Sequence, residues 1–64
     1  MNNAKKLLGA YLEMSDSTKK EVAEKLGMST DAFRMKMNGS TEFTLSQAKK
    51  LAEILRCTID DLFD

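Results

Sequence analysis

Residues 18–39 read TKKEVAEKLGMSTDAFRMKMNG, and the order of polar caps, apolar positions and glycines in this stretch decides the fold. Thr18 stands three residues before Glu21, the spacing of a capping box, in which the hydroxyl accepts from the N–H of the third helical residue and the carboxylate reaches back to the cap's own N–H. A helix therefore starts here. Val22, Ala23 and Leu26 share one of its faces, and Gly27 occupies the position where a left-handed residue closes a helix. That predicts a helix of only about eight residues. Met28 follows as an apolar plug. Ser29 then caps another helix, whose first turn carries the acidic Asp31, favourable against the helix dipole, and Asn38-Gly39 stops it.

This last helix has two unequal faces. Phe33 and Met37 form a narrow apolar stripe, whereas Thr30, Asp31, Arg34 and Met35 point away from it and are left for a partner or for water. Two short helices joined by a turn of three to four residues make a helix-turn-helix unit, whose second helix enters the major groove of DNA while the first crosses the phosphate backbone. Ala23 falls where the two helices must touch, and its small side chain allows a close crossing. Val22, Leu26, Met28, Phe33 and Met37 are expected to hold the angle from beneath.

Outward from this centre the chain remains helical. On the N-terminal side Leu7, Leu8, Tyr11 and Leu12 lie on one face of a helix running from Asn3 to Met14, and Ser15, Asp16 and Ser17 break it. On the other side a loop from Gly39 to Phe43 leads to a second capping box, Thr44 with Gln47. The following helix keeps the i, i+3, i+4, i+7 rhythm through Leu45, Ala48, Leu51, Ala52 and Leu55. Thr58 with Asp61 marks a last short helix with Ile59, Leu62 and Phe63 as apolar anchors. The expected fold is all-α, a compact five-helix bundle in one domain spanning residues 1–64.

Composition sets limits on function. The chain has 64 residues, no Pro and three Gly, so it makes one domain that favours helix over sheet. A lone Cys57 and the absence of His remove any disulfide framework and any structural zinc site, and Cys57 is expected as a small buried hydrophobe at a helix junction. No metal or other cofactor is expected, and a reducing cytoplasm fits best. The apolar stretch Leu7–Leu12 is too short to span a membrane and lacks a cleavage-like segment. With no glycine-rich phosphate loop, no nucleophile–base pair and carboxylates alternating with Lys, no catalytic role is expected.

Ten basic and ten acidic residues cancel, whereas DNA-binding domains are often basic. The distribution is uneven, however. Nine of the ten basic residues lie at or before Lys50, while Asp60, Asp61 and Asp64 crowd the last five positions. Lys5, Lys6, Lys49 and Lys50 read as solubilising charges.

The stretch Thr18 to Gly39 resembles the helix-turn-helix of the phage Cro and repressor family, and LSQAKKLAEILRCTIDDLF, from Leu45 to Phe63, is similar to the closing helices of that family. NGSTEFTLSQ looks like the corresponding segment of small Cro-like regulators. The resemblance implies a lambda-repressor-like DNA-binding domain that acts as a transcriptional regulator on a palindromic operator, with no small-molecule substrate. It implies base contacts from Thr30, Asp31 and Met35, with Arg34 adjacent. Backbone contacts fall to Lys19 at the start of its helix and to Asn38, Ser40 and Thr41 in the following loop. The caps Thr18 and Ser29, together with Lys36, complete the expected backbone set.

The family often has Gln at position 19 and polar or basic residues at 30, 31 and 35, whereas here Asp31 is acidic and Met35 apolar. Asp31 is suited to accept from a cytosine amino group, Arg34 to fork onto guanine, and Met35 or the Thr30 methyl to touch a thymine methyl. One recognition helix covers half a site. A homodimer is therefore expected, its two helices roughly 34 Å apart, pairing through Ile59, Leu62 and Phe63 unless these pack wholly inside their own domain. The alternative is a protein-interaction module with the same fold, an antirepressor or antitoxin-like partner, which the neutral charge, Asp31 and Met35 favour.

Overall fold

The computed structural model describes residues 3–63, and four of its helices begin at a side-chain cap, whereas Asn3 ahead of the first makes no such bond. Five helices follow one another, α1 Ala4–Ser15, α2 Lys19–Lys25, α3 Thr30–Met37, α4 Leu45–Leu55 and α5 Ile59–Phe63, and no strand is present among the described residues. The fold is an all-helical bundle. Met1, Asn2 and Asp64, the last of which contributes to the acidic C-terminal end of the sequence, lie outside the described residues.

Three capping boxes start helices. Thr18 Oγ1 accepts from the Glu21 N–H at 3.2 Å while the Thr18 N–H donates to Glu21 Oε1 at 3.1 Å. Thr44 and Gln47 repeat the exchange at 3.1 and 3.0 Å, and Thr58 and Asp61 at 3.0 and 3.1 Å. Each exchange satisfies N–H groups that the first turn leaves without an intrahelical acceptor.

Helix ends are closed as firmly. Gly27 takes φ +75°, the Met28 N–H reaches Ala23 O at 3.0 Å and the Gly27 N–H reaches Glu24 O at 3.0 Å, a Schellman closure of α2. Gly39, at φ +84°, closes α3 in the same way through Ser40 and Met35. Arg56 does so at the end of α4 with φ 57°, and Asp16 ends α1 at φ 58°. Neither is glycine, so the sequence carries no glycine signal for these two left-handed positions.

α1, α4 and α5 pack on one another, and α2 packs on α3. The core they share is apolar throughout: Phe33, Leu51, Leu62 and Val22 are its largest fully enclosed side chains, and no polar or charged residue among those described is buried. Ala23 is 0% exposed, as the close approach of α2 and α3 requires. Phe43, from the α3–α4 loop, lies 6.3 Å from the Phe33 ring in an edge-on arrangement and 6.0 Å from Phe63. It ties the loop to the core.

Leu45 is 66% exposed, although it falls on the apolar rhythm of α4. It is the first residue of α4, and side chains on a helix lean toward its N-terminus, so Leu45 projects beyond the end of the packed region. Leu62 is 0% exposed and Ile59 and Phe63 are half-buried against the same core, so Leu62 is not available to a partner chain. The cause is the docking of α1: the Asn3 N–H donates to Leu62 O at 2.7 Å and Asn3 Nδ2 donates to Asp61 O at 3.2 Å, drawing the start of α1 over α5. No helix of the described residues is long and apolar enough to cross a membrane.

Candidate nucleic-acid interface

The outward face of α3 is built by what lies beneath it. Phe33 at 0% and Met37 at 8% exposure anchor the helix, and the same rotation turns Thr30, Asp31, Arg34 and Met35 to solvent. Met35 is 46% exposed, which an apolar side chain tolerates alone but which leaves a methyl-sized contact surface on the helix. Ser29 holds the start of α3 by accepting the Ala32 N–H at 3.1 Å.

Asp31 and Arg34, one turn apart on this face, are paired. An Arg34 terminal nitrogen donates to Asp31 Oδ1 at 3.1 Å, with side chains 63% and 82% exposed. The contact uses one of the five guanidinium N–H donors, so the remaining donors still allow a two-pronged contact.

Lys19, the first residue of α2, lies beside this face. It lines, with Arg34 and Asn38, an open cleft of about 340 Å³ whose floor includes Leu8, Phe33 and Met37. The structure therefore brings three of the expected site residues together. It adds a fourth cleft residue, Lys5 from α1, which no local pattern separates from the other surface lysines. Only the packing of α1 against the rest of the bundle places it there.

The other expected contacts are arranged differently. The Thr18 hydroxyl both accepts from the Glu21 N–H and donates to Glu21 Oε1 at 3.2 Å, so its hydrogen is used within the cap. Lys36 is half-buried: its Nζ donates to Glu42 O at 2.8 Å and lies 6.0 Å from the centre of the Phe43 ring. It fastens the α3–α4 loop to α3. Ser40 and Thr41 are exposed on that loop, and Thr41 borders a separate groove with Lys36, Phe43, Leu45 and Phe63. No group of three or more Cys, Asp or Glu side chains that could hold a metal ion occurs among the described residues.

Chemically, this surface offers cations from α1, α2 and α3, an amide from Asn38 and a helix whose exposed side chains donate, accept and make apolar contact. Such a set suits phosphate oxygens and base edges together. Among curated proteins and among solved structures, none matches the chain. A family model does match, that of the BetR domain, and it covers residues 1–64. The chain thus belongs to the BetR domain family, small helix-turn-helix-like DNA-binding domains of bacterial regulators.

Proposed function

We propose that this chain is a transcriptional regulator of the phage Cro type, a repressor that binds an inverted-repeat operator as a homodimer in the bacterial cytoplasm, with α3 in the major groove. The observation that carries the reading is the orientation of α3. Its apolar stripe is consumed by the core, while Thr30, Asp31, Arg34 and Met35 stand together in solvent beside Lys19 and Asn38.

In this reading Arg34 donates to guanine, Asp31 steadies Arg34 and accepts from a neighbouring cytosine amino group, and Met35 and the Thr30 methyl make apolar contact with thymine. Lys19, Ser29, Asn38, Ser40 and Thr41 follow the backbone. Lys36 contributes by holding the loop that presents Ser40 and Thr41. Binding, and no catalysis, is the activity.

Selection of the purified protein on randomised duplex DNA, sequenced at two salt concentrations, tests the reading. An enriched inverted repeat with half-sites about one helical turn apart, and retention that weakens steeply with salt, is the expected result. Absence of both transfers the assignment to a protein-interaction module, whose zero net charge needs no phosphate partner.

A further inference from the structure

We infer that the cleft between α1 and α3 seats a backbone phosphate of the duplex, held by Lys5 with Lys19 and Asn38, and that Gly9 is glycine to keep its mouth open. The inference rests on the DNA-binding reading above and assigns a contact to α1, which that reading leaves without a role.

Positive and negative side chains balance over the whole chain, yet the cleft is lined by Lys5, Lys19 and Arg34, of which Arg34 is paired with Asp31 at 3.1 Å and the two lysines meet no carboxylate among the lining residues. These cations arrive from three different helices. A neutral chain that gathers cations around one opening creates the local field that attracts a phosphodiester. Asn38 supplies an uncharged donor at the same opening.

Gly9 is the independent observation. It lies in the interior of α1, where glycine weakens a helix relative to alanine. Its φ is not in the left-handed region, and a Cβ built on it meets nothing within 4 Å. Neither backbone conformation nor packing of this chain therefore requires glycine. Lys5 and Gly9, one turn apart on α1, both line the cleft. A bare backbone there leaves room for a bulky ligand to approach the lysine.

Two variants test the proposal against the parent on the same duplex across a salt series. Lys5→Gln is expected to weaken binding to all sequences alike and to reduce the slope of log affinity against log salt by about 0.9, the release of one counterion. Gly9→Met fills the mouth without burying against anything, so it should melt no lower than the parent. Its affinity should nevertheless fall about tenfold, the equivalent of one lost charged hydrogen bond. Lys50→Gln, an exposed α4 lysine outside the cleft, serves as the comparison for loss of charge alone. With a parent that binds, an unchanged salt slope for Lys5→Gln relative to Lys50→Gln, or unchanged affinity for Gly9→Met, overturns the phosphate seat and leaves the operator reading intact. A parent with no salt-dependent retention overturns both.

Discussion

Replacing Asp31 by Ala should move stability and DNA affinity in opposite directions. The carboxylate makes an exposed pair with Arg34 at 3.1 Å, and exposed pairs contribute about 0.2 to 1 kcal/mol. It also sits in the first turn of α3, where a negative charge near the helix start adds about 0.3 to 1 kcal/mol. Asp31→Ala should therefore cost about 1 kcal/mol, a fall of roughly 4 to 8 °C in Tm for a domain of this size. If this face meets DNA as proposed, the same change removes a negative charge near the phosphates, so affinity for unrelated sequences should rise. Discrimination should fall, because Arg34 loses the partner that limits its rotamers before the proposed contact with guanine. An Arg side chain carries about 2 kcal/mol of rotamer entropy, and a bidentate guanine contact discriminates by about 1 to 3 kcal/mol. A loss of about 1 kcal/mol, or roughly fivefold, in the ratio of operator to unrelated affinity is expected. Calorimetric melting and fluorescence anisotropy on operator and scrambled duplexes measure both effects. An unchanged ratio, or an equal fall when Arg34 is already Ala, refutes the argument that the two side chains act as a unit.

Neighbouring positions should behave very differently. Phe33→Ala empties the most enclosed aromatic site, at about 3 to 5 kcal/mol against a total stability of about 3 to 10 for a chain this short, so circular dichroism should show a shallow or absent thermal transition. Leu45→Gln should change the urea midpoint by no more than about 0.5 kcal/mol in stability, since the side chain is 66% exposed; a loss typical of a core leucine would show that it packs inside. Arg56→Gly should raise Tm, because a side chain at φ 57° disfavours the turn that closes α4, and about 1 kcal/mol is recoverable there; a lower Tm contradicts it. Burial, and then the charge of Asp61, hold the Cys57 thiol above its ordinary range, so the unfolded chain ionises first. That contribution to stability is fully present below the ordinary thiol pKa of about 8.5 and is lost as pH rises through the higher folded value. Iodoacetamide near that pH should modify the folded protein more slowly than the urea-unfolded chain, and equal rates would place the thiol in solvent.

Much of the architecture was legible in residue order because helix starts are local events. Thr18 with Glu21, Thr44 with Gln47 and Thr58 with Asp61 satisfy backbone groups within one turn of themselves, so their spacing alone located α2, α4 and α5. Gly27 and Gly39 are equally local, since a left-handed backbone favours glycine whatever surrounds it. The two faces of α3 followed from its periodicity once Phe33 and Met37 were assigned inward.

Tertiary structure decided whatever depended on neighbours distant in sequence. The apolar rhythm of α4 includes Leu45, but a rhythm records angle around a helix and not position along it relative to a core that ends sooner. Leu62 looked like surplus apolar area until Asn3, 59 positions earlier, bonded to its carbonyl and brought α1 over it. Lys5 is one of ten cations in the chain, and nothing in its local sequence separates it from Lys6. Caps and periodicity determined which helices form and which way each faces, because their interactions close within a turn or two. Which side chains meet at the cleft, and which apolar residues remain exposed, depended on how α1 crosses the bundle, because those contacts join segments that no short stretch of sequence contains together.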